Sequence, residues 1–514
     1  MGDRIFVTSI LIKCLKCQTR IFNCSLHCYK MRTAPSQSTT RCTGDSAMIQ
    51  APATRDAPGF ETLYALVREN LDPGAGDIPV DRLMQVFRRL SDLYDADVSS
   101  PLNMGYFCID ADAASITAMD ETNRRGANVA VRGQHPASAA FEQYGADLLL
   151  AAFGIDPASG AGHFTACGTE ANHTAMIVAL TDRLSHRNPR CRAYDPALCR
   201  DGAGREEPYE YWRHGSLPLT VRPALYVSPQ THVSIEKNAR NLIGTASVRT
   251  VPVDGDLRMD VGALADMMAA DAASGTFLPF LVIASVGATP SGIVDPLAEI
   301  GAVSREHGAW FHVDAPWGAV AAFSDRLRRA CLDGLNAADS LIFDPHKTLV
   351  PLGAGGCGMF LCRHREAVER AFNVSGGDVK PHEFAYLSLQ GSRANSGLRV
   401  LTALLQPDAL ARRIEREAAL GDTLRGHLRD AGWEIVNRTP LPVVCTVHPA
   451  MRAGAFAAED AVRHLRAEGV LAWAEALRPD EPEAVRLGII SRRTTEESVR
   501  FVVERLSAFA AERV

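Results

Sequence analysis

From Ala53 to about Gly126 apolar residues recur at three- and four-residue spacing, as in Phe60-Leu63-Leu66-Val67 and Leu83-Val86-Phe87-Leu90, which predicts amphipathic helices. Between about His163 and Cys362 the rhythm changes. Short β-branched or apolar runs at 224–227, 248–253, 280–286, 310–313, 340–343 and 359–362 alternate with longer helical or glycine-rich stretches. Strand and helix in alternation predict an α/β fold, a mostly parallel sheet covered by helices on both faces. Beyond about Leu387, helical patterns over 409–431, 459–468 and 495–513 surround brief strands at 443–447 and 485–490, an α+β appendage. No internal repeat of solenoid length is visible, and the folded part has no low-complexity block.

Composition narrows the function classes. The chain has 514 residues, 46% of them apolar, with 54 Lys+Arg against 60 Asp+Glu and a formal charge of −6. This balance leaves no basic footprint for nucleic acid. The longest apolar stretch, near 277–286, falls short of the ~20 residues that span a bilayer, so neither nucleic acid nor membrane is an expected partner. Of thirteen cysteines, five (Cys14, Cys17, Cys24, Cys28, Cys42) lie in the first 42 residues and the rest are scattered singly. Scattered, odd-numbered cysteines in a large chain point to a reducing, cytoplasmic setting.

The first 48 residues are compositionally foreign, with seven Lys/Arg and one acid, Asp3, before residue 45. The apolar run 5–12 precedes its basic residues Lys13 and Lys16 and lacks a small-residue cleavage site, unlike a signal peptide. Phe6 stands where N-myristoylation requires Ser or Thr. Cys14-x2-Cys17 with Cys24-x3-Cys28 has four thiols, but the six-residue gap between the pairs is shorter than zinc-ribbon or finger spacing, and no metal site is expected. The segment reads as a disordered leader, an organellar transit peptide, or a stretch upstream of a true start at Met31 or Met48.

Four positions carry candidate chemistry. Lys347 follows a strand in Asp344-Pro345-His346-Lys347, ahead of Gly353-Ala354-Gly355-Gly356, where α/β sheets bind ligands. Asp314 ends the buried run Trp310-Phe311-His312-Val313-Asp314 and needs a cationic partner. His232 follows another strand and opens a helix; its ring suits stacking on a planar group. Gly168-Thr169-Glu170-Ala171-Asn172 begins a helix, whose free N–H groups favour an anion such as phosphate. Singly these are also an ordinary loop lysine, turn aspartate, loop histidine and helix cap. Jointly they are the set pyridoxal phosphate uses: an amine for its aldehyde, an acid for its ring nitrogen, a stacked ring and a phosphate cradle.

At these residues the chain resembles the group II pyridoxal-phosphate-dependent amino acid decarboxylases, within the fold type I, aspartate aminotransferase-like superfamily. The resemblance runs from about Ser99 to Val502 and rests on Gly168 to Asn172, Ser228 to Lys237, His312-Val313-Asp314-Ala315 with Trp317-Gly318, and Ala338-Asp339-Ser340 leading into Lys347. It implies a seven-stranded-type sheet, Lys347 as the Schiff-base lysine, Asp314 as the ring-nitrogen partner and His232 stacked on the cofactor. Gly168, Thr169, His346 and Ser340 are implied as phosphate contacts, and Tyr386 as the proton-donating loop tyrosine. Gly391-Ser392-Arg393 matches a family element closing the region after the lysine. The expected organisation is the leader (1–48), a helical segment making dimer and substrate contacts (49–130), a large cofactor domain (131–385) and a small domain (386–514).

The expected activity is decarboxylation of an L-amino acid by a homodimer with a pyridoxal 5'-phosphate cofactor. Two rivals share this frame: an aldehyde lyase of the sphingosine-phosphate type, and a catalytically silent cofactor-binding homologue. Ser100-Pro101-Leu102-Asn103-Met104-Gly105-Tyr106 replaces the His-Pro and aromatic residues of many relatives, which weakens a DOPA- or tryptophan-like substrate. Asn103 and Tyr106 hint at a mixed polar pocket.

Overall fold

Alternation along single strands decides how the main sheet is built. The computed structural model describes residues 59–72, 77–353, 355–373, 385 and 387–513, all within a unit spanning 51–514. The expected leader 1–48 lies outside the described residues. Strands β1 (Ala161–Thr165), β2 (Arg222–Val227), β3 (Val248–Thr250), β4 (Phe277–Ser285), β5 (Trp310–Asp314), β6 (Ser340–Phe343) and β7 (Gly358–Cys362) form one sheet in the order β1-β7-β6-β5-β4-β2-β3. Only β7 runs antiparallel to its neighbours, β1 and β6. The pairs β5·β6, β4·β5, β2·β4 and β2·β3 are parallel. Since β1 is antiparallel to β7, it points the same way as β6. The C-terminal ends of β1, β2, β4, β5 and β6 therefore share one edge, where open α/β sheets collect ligands.

The interior strand β4 contains Pro279, which has no N–H for the ladder. Its register with β2 shifts at that place: Ala224 faces Pro279 and Leu225 faces Leu281. A bulge thus absorbs the missing donor.

The helical pattern before Gly126 gives α1 (Phe60–Asn70), α2 (Val80–Tyr94) and α3 (Ala113–Arg125), followed by α4 (Pro136–Ala152). Helix α1 buries no residue and α2 buries only Val86, so their apolar stripes stay uncovered within this chain.

Both faces of the main sheet are covered. On β5, Phe311 and Val313 pack with Tyr226, Val282, Ala284, Leu341 and Phe343. Trp310 points to the other face with Leu225, Leu281, Ile283 and Ile342, against α5 (Gly168–Arg183). By the period-two rule His312 and Asp314 share that second face with Trp310. Ala171, Ala175 and Ala179 let α5 lie close to the strands. Its fully buried Met176, Val178 and Leu180 contribute about 1.5–3 kcal/mol each. Helix α6 (Val233–Leu242) follows β2 and packs on α5, and the single-turn helix α7 (Pro345–Thr348) follows β6.

A second, antiparallel sheet has the order β10-β11-β9-β8, from β8 (Glu434–Ile435), β9 (Val443–Val447), β10 (Trp473–Glu475) and β11 (Ala484–Gly488). It packs against α8 (Pro407–Asp430) and α9 (Ala458–Ala467), and α10 (Glu496–Ala511) packs on those two helices. The segment around Met104 runs beside it: Met104 N donates to Leu471 O at 3.1 Å, and Gly488 N donates to Met104 O at 2.7 Å.

Candidate active site

Asp314 is the last residue of β5 and is almost wholly buried. Burial pushes its carboxyl above the usual carboxylate range; the Asn172 amide, His232 and Lys347 pull it back down, and Asp344 adds a like charge. Asn172 sits four residues into α5 from Gly168, on the face turned to the sheet, and its Nδ2 donates to Asp314 Oδ1 at 3.2 Å. The expected cationic partner of Asp314 is thus Lys347, with an amide as the hydrogen-bond donor to the carboxylate.

His232 is the N-cap of α6: the Ser234 N–H donates to its Nδ1 at 3.2 Å, and Ser234 Oγ lies 2.9 Å from the same nitrogen. Burial lowers its proton affinity, which Asp314 partly restores and Lys347 and Lys237 oppose. With Nδ1 accepting, a neutral ring carries its proton on Nε2.

Lys347 lies in α7, opened by Pro345 in its first turn, where a missing N–H costs nothing. Its Nζ is 3.3 Å from Asp344 Oδ2. Asp344 is buried; burial raises its carboxyl, while Lys347 and the Gly168 N–H favour its charged form. A Cβ at Gly168 would fall 2.8 Å from Asp344 Oδ2, so only glycine admits this carboxylate at the start of α5. Cys167 caps α5 without a side-chain hydrogen bond, and the exposed Thr169 follows. The first turn of α5 therefore keeps donors for an anion. His346 accepts from the Cys357 N–H at Nδ1, 2.9 Å away, and its Nε2 lies 3.7 Å from Asp344 Oδ2; burial lowers its pKa to about 4, so it is neutral.

Lys347, Asp314, His232, Gly168, Thr169 and His346 thus gather at one edge. Ser340 does not join them. It begins β6, at the end away from Lys347, and its fully buried hydroxyl meets Trp310 Nε1 and His312 Nδ1, each at 2.8 Å. Placed as a phosphate contact by the resemblance, it serves instead the interior of the sheet. Tyr386 lies outside the described residues. Arg393 of the Gly-Ser-Arg element is buried against Glu142, Nε to Oε1 3.3 Å, and donates to Phe164 O at 3.1 Å, tying α4 to β1. Asn103 spends its amide on its own turn, donating to Val98 O and accepting from the Tyr106 N–H, so it offers no pocket group.

Three residues assigned no role from sequence stand out. Asp344 was legible as the acid three positions before Lys347, one helical turn away. His312 was legible by alternation with Asp314. Arg486, buried on β11 beside Glu475 and over the Phe107 ring, had no local signal, since only tertiary packing brings 107 and 486 together. Phe107 in turn stacks on Trp317 at 4.8 Å.

Comparison with known proteins bears on this arrangement. The pyridoxal-dependent decarboxylase conserved domain matches residues 210–446, which include His232, Asp314 and Lys347. The stretch that carries these three residues is thus similar to that decarboxylase domain. An L-aspartate decarboxylase of Metarhizium robertsii is 30% identical over 329 residues, 61% of this chain and 59% of the relative. Mouse cysteine sulfinic acid decarboxylase is 45% identical over 127 residues, 24% of this chain and 25% of its own length. These sequence matches span from a quarter to about three-fifths of the curated relatives. The fold carries further. The crystal structure of mouse CSAD superposes with a TM-score of 0.73 at 24% identity, covering 89% of this chain and 93% of that one. Catharanthus roseus tryptophan decarboxylase in complex with L-tryptophan gives 0.74 at 18% identity, covering 90% and 94%. The cofactor of this decarboxylase family is pyridoxal phosphate, and the residues fit it: an amine, a buried acid with one oxygen held by an amide, a neutral imidazole, and an uncapped helix start.

Proposed function

We propose that the chain is a carboxy-lyase that converts an L-amino acid to its amine and CO2 with pyridoxal 5'-phosphate as cofactor. The observation that carries this reading is Asp314, buried at the end of β5 with Oδ1 held by Asn172, at the sheet edge that also carries Lys347 and His232. When bound, the cofactor supplies an aldehyde for amines and a protonated ring that takes up the electron pair left by departing CO2. The rest is the work of this chain. Lys347 Nζ offers the amine, with Asp344 Oδ2 at 3.3 Å as the neighbouring base for its proton. Asp314 holds a proton at the ring nitrogen, which stabilises charge that develops only in the transition state. His232, neutral and with its Nε2–H free of the Ser234 contacts, would stack on the ring. Thr169, the first N–H groups of α5 and His346 Nε2 hold the phosphate. Tyr386 is kept as proton donor to the α-carbon.

A homodimer accounts for the uncovered stripes of α1 and α2, where Phe60, Tyr64, Leu83 and Phe87 are exposed. The helical segment 49–130 is then the dimer and substrate element, with the cofactor domain over 131–385 and the small domain over 386–514. The eight described cysteines are all unpaired, which suits the cytoplasm. No helix among the described residues is long and apolar enough to cross a membrane.

The test is to load purified protein with pyridoxal phosphate and offer acidic, aromatic and diamino L-amino acids separately. CO2 and the matching amine from one of them support the reading; an aldehyde with retained carboxylate, or no turnover of any, sinks it.

A further inference from the structure

A line of buried polar groups runs from the start of β5 to Asp314. Trp310, His312 and Asp314 alternate on one face of β5, and Ser340 pairs with His312 across from β6. Trp310 Nε1 donates to Ser340 Oγ at 2.8 Å. Asn172 Oδ1 can only accept, so a neutral His312 donates to it from Nε2 and leaves Nδ1 to take the Ser340 hydroxyl proton, also at 2.8 Å. The proton of His312 is thereby on Nε2, which faces Asn172 Oδ1 at 3.0 Å. With its oxygen accepting, Asn172 turns its Nδ2 to Asp314 Oδ1 at 3.2 Å and to Ser234 Oγ at 3.3 Å. With His312 neutral, one direction of donation runs through every link from Trp310 to Asp314. Trp310, His312 and Ser340 are fully buried and Asn172 nearly so, which removes water as an alternative partner. Burial also holds His312 neutral, with a pKa of about 3.

We propose that His312 and Asn172 are positioning residues that keep Asp314 ionised and so keep a proton on the ring nitrogen of the bound cofactor. This rests on the reading of Asp314 as ring-nitrogen partner. The groups facing Asp314 are Asn172, His232, Lys347 and Asp344, and burial already favours its neutral form. A reversed Asn172 amide would set oxygen against oxygen and favour that neutral form further. A protonated Asp314 cannot hold a ring N–H cation. The Trp310–Ser340–His312 line is what denies Asn172 the reversed orientation.

The test loads the full chain with pyridoxal phosphate isotope-labelled at the ring nitrogen and reads that nitrogen by NMR. The native protein and His312→Gln, whose amide still donates to Asn172, are expected at the protonated position. Asn172→Ala and His312→Leu are expected to shift toward neutral pyridine. Alanine is a good helix former, so Asn172→Ala keeps α5 and tests the idea if His312→Leu folds poorly. A protonated signal in Asn172→Ala overturns the proposal, as does equal loss in His312→Gln and His312→Leu. Asp314→Ala separates the two levels: a protonated ring there sinks the ring-nitrogen reading itself, whereas loss there with retention in Asn172→Ala sinks only the relay.

Discussion

Asp344 Oδ2 lies 3.3 Å from Lys347 Nζ, and the same carboxylate fills the space that Gly168 leaves open at the start of α5. An anion of the chain's own therefore borders the place proposed for the cofactor phosphate. Burial raises the Asp344 carboxyl above its usual range, so it ionises, and opposes a phosphate, only as pH rises through that raised value. Asp344→Asn should bind pyridoxamine 5'-phosphate, which has no aldehyde to react, several-fold more tightly at pH 8. The difference should shrink as pH falls and the native carboxyl takes up its proton. Titration of the cofactor-free protein by fluorescence reads both; equal affinities at pH 8 would show that Asp344 does not oppose the phosphate.

Gly168→Ala probes the same corner from the other side. Its methyl would meet Asp344 Oδ2 at 2.8 Å and drive the carboxylate into the cradle. Affinity for pyridoxal phosphate should fall about tenfold, near 1.4 kcal/mol. Ala favours helix over Gly, so far-ultraviolet circular dichroism should be unchanged or stronger. Undiminished binding would mean that the start of α5 does not hold the cofactor.

Arg413 and Arg492 fasten the turn that carries Lys347. Arg413 Nη2 donates to Thr348 O at 2.6 Å and Arg492 Nη2 to Leu349 O at 3.1 Å. Arg413 also pairs with Glu417 at 3.2 Å, whose carboxyl burial pushes up to about 7. Arg413→Met leaves that acid unpaired and should cost about 3 kcal/mol in urea unfolding. The double variant Arg413→Met with Glu417→Met should recover most of the loss, because an apolar pair replaces a buried ionic one. Its Thr348 carbonyl still lacks a donor, so cofactor affinity should stay reduced. Full recovery of affinity would show that the guanidinium does not position Lys347.

What the sequence revealed follows the reach of each signal. The strands 340–343 and 443–447 match the structure to the residue, since short apolar runs bounded by turns are local facts. Strands β8 and β10, of two and three residues, are too short to show alternation and were not expected. Strand β1 carries Gly162 and His163, which broke the apolar run that would have marked it. At the site, residues named for their chemistry at strand ends, Asp314, Lys347 and His232, were legible because the sheet edge is where strands stop. Ser340 was misread for the complementary reason. A hydroxyl at the start of a strand lies a strand's length from that edge, and only the packing of Trp310 and His312 reveals its partners.

His312 also gives the fold a pH signature of its own. The ring is fully buried and its pKa is about 3 in the folded chain, against about 6.5 for a free imidazole. Below pH 6.5 the unfolded chain therefore binds a proton that the folded chain refuses. Stability from this group is whole above that value and drains as pH falls, until the folded ring itself titrates near 3. At pH 5 the loss is about 2 kcal/mol, from roughly 1.4 kcal/mol for each pH step below 6.5. His163 and His346 are likewise buried and lowered, so the native protein should be acid-labile through all three. Comparison with His312→Gln isolates one of them, because the other two are common to both proteins. Urea unfolding at pH 7.5 and pH 5 should show the native protein losing about 2 kcal/mol more than the variant between the two conditions. Equal losses would mean that His312 already carries a proton in the fold, and with it the direction of the line from Trp310 to Asp314 would fail.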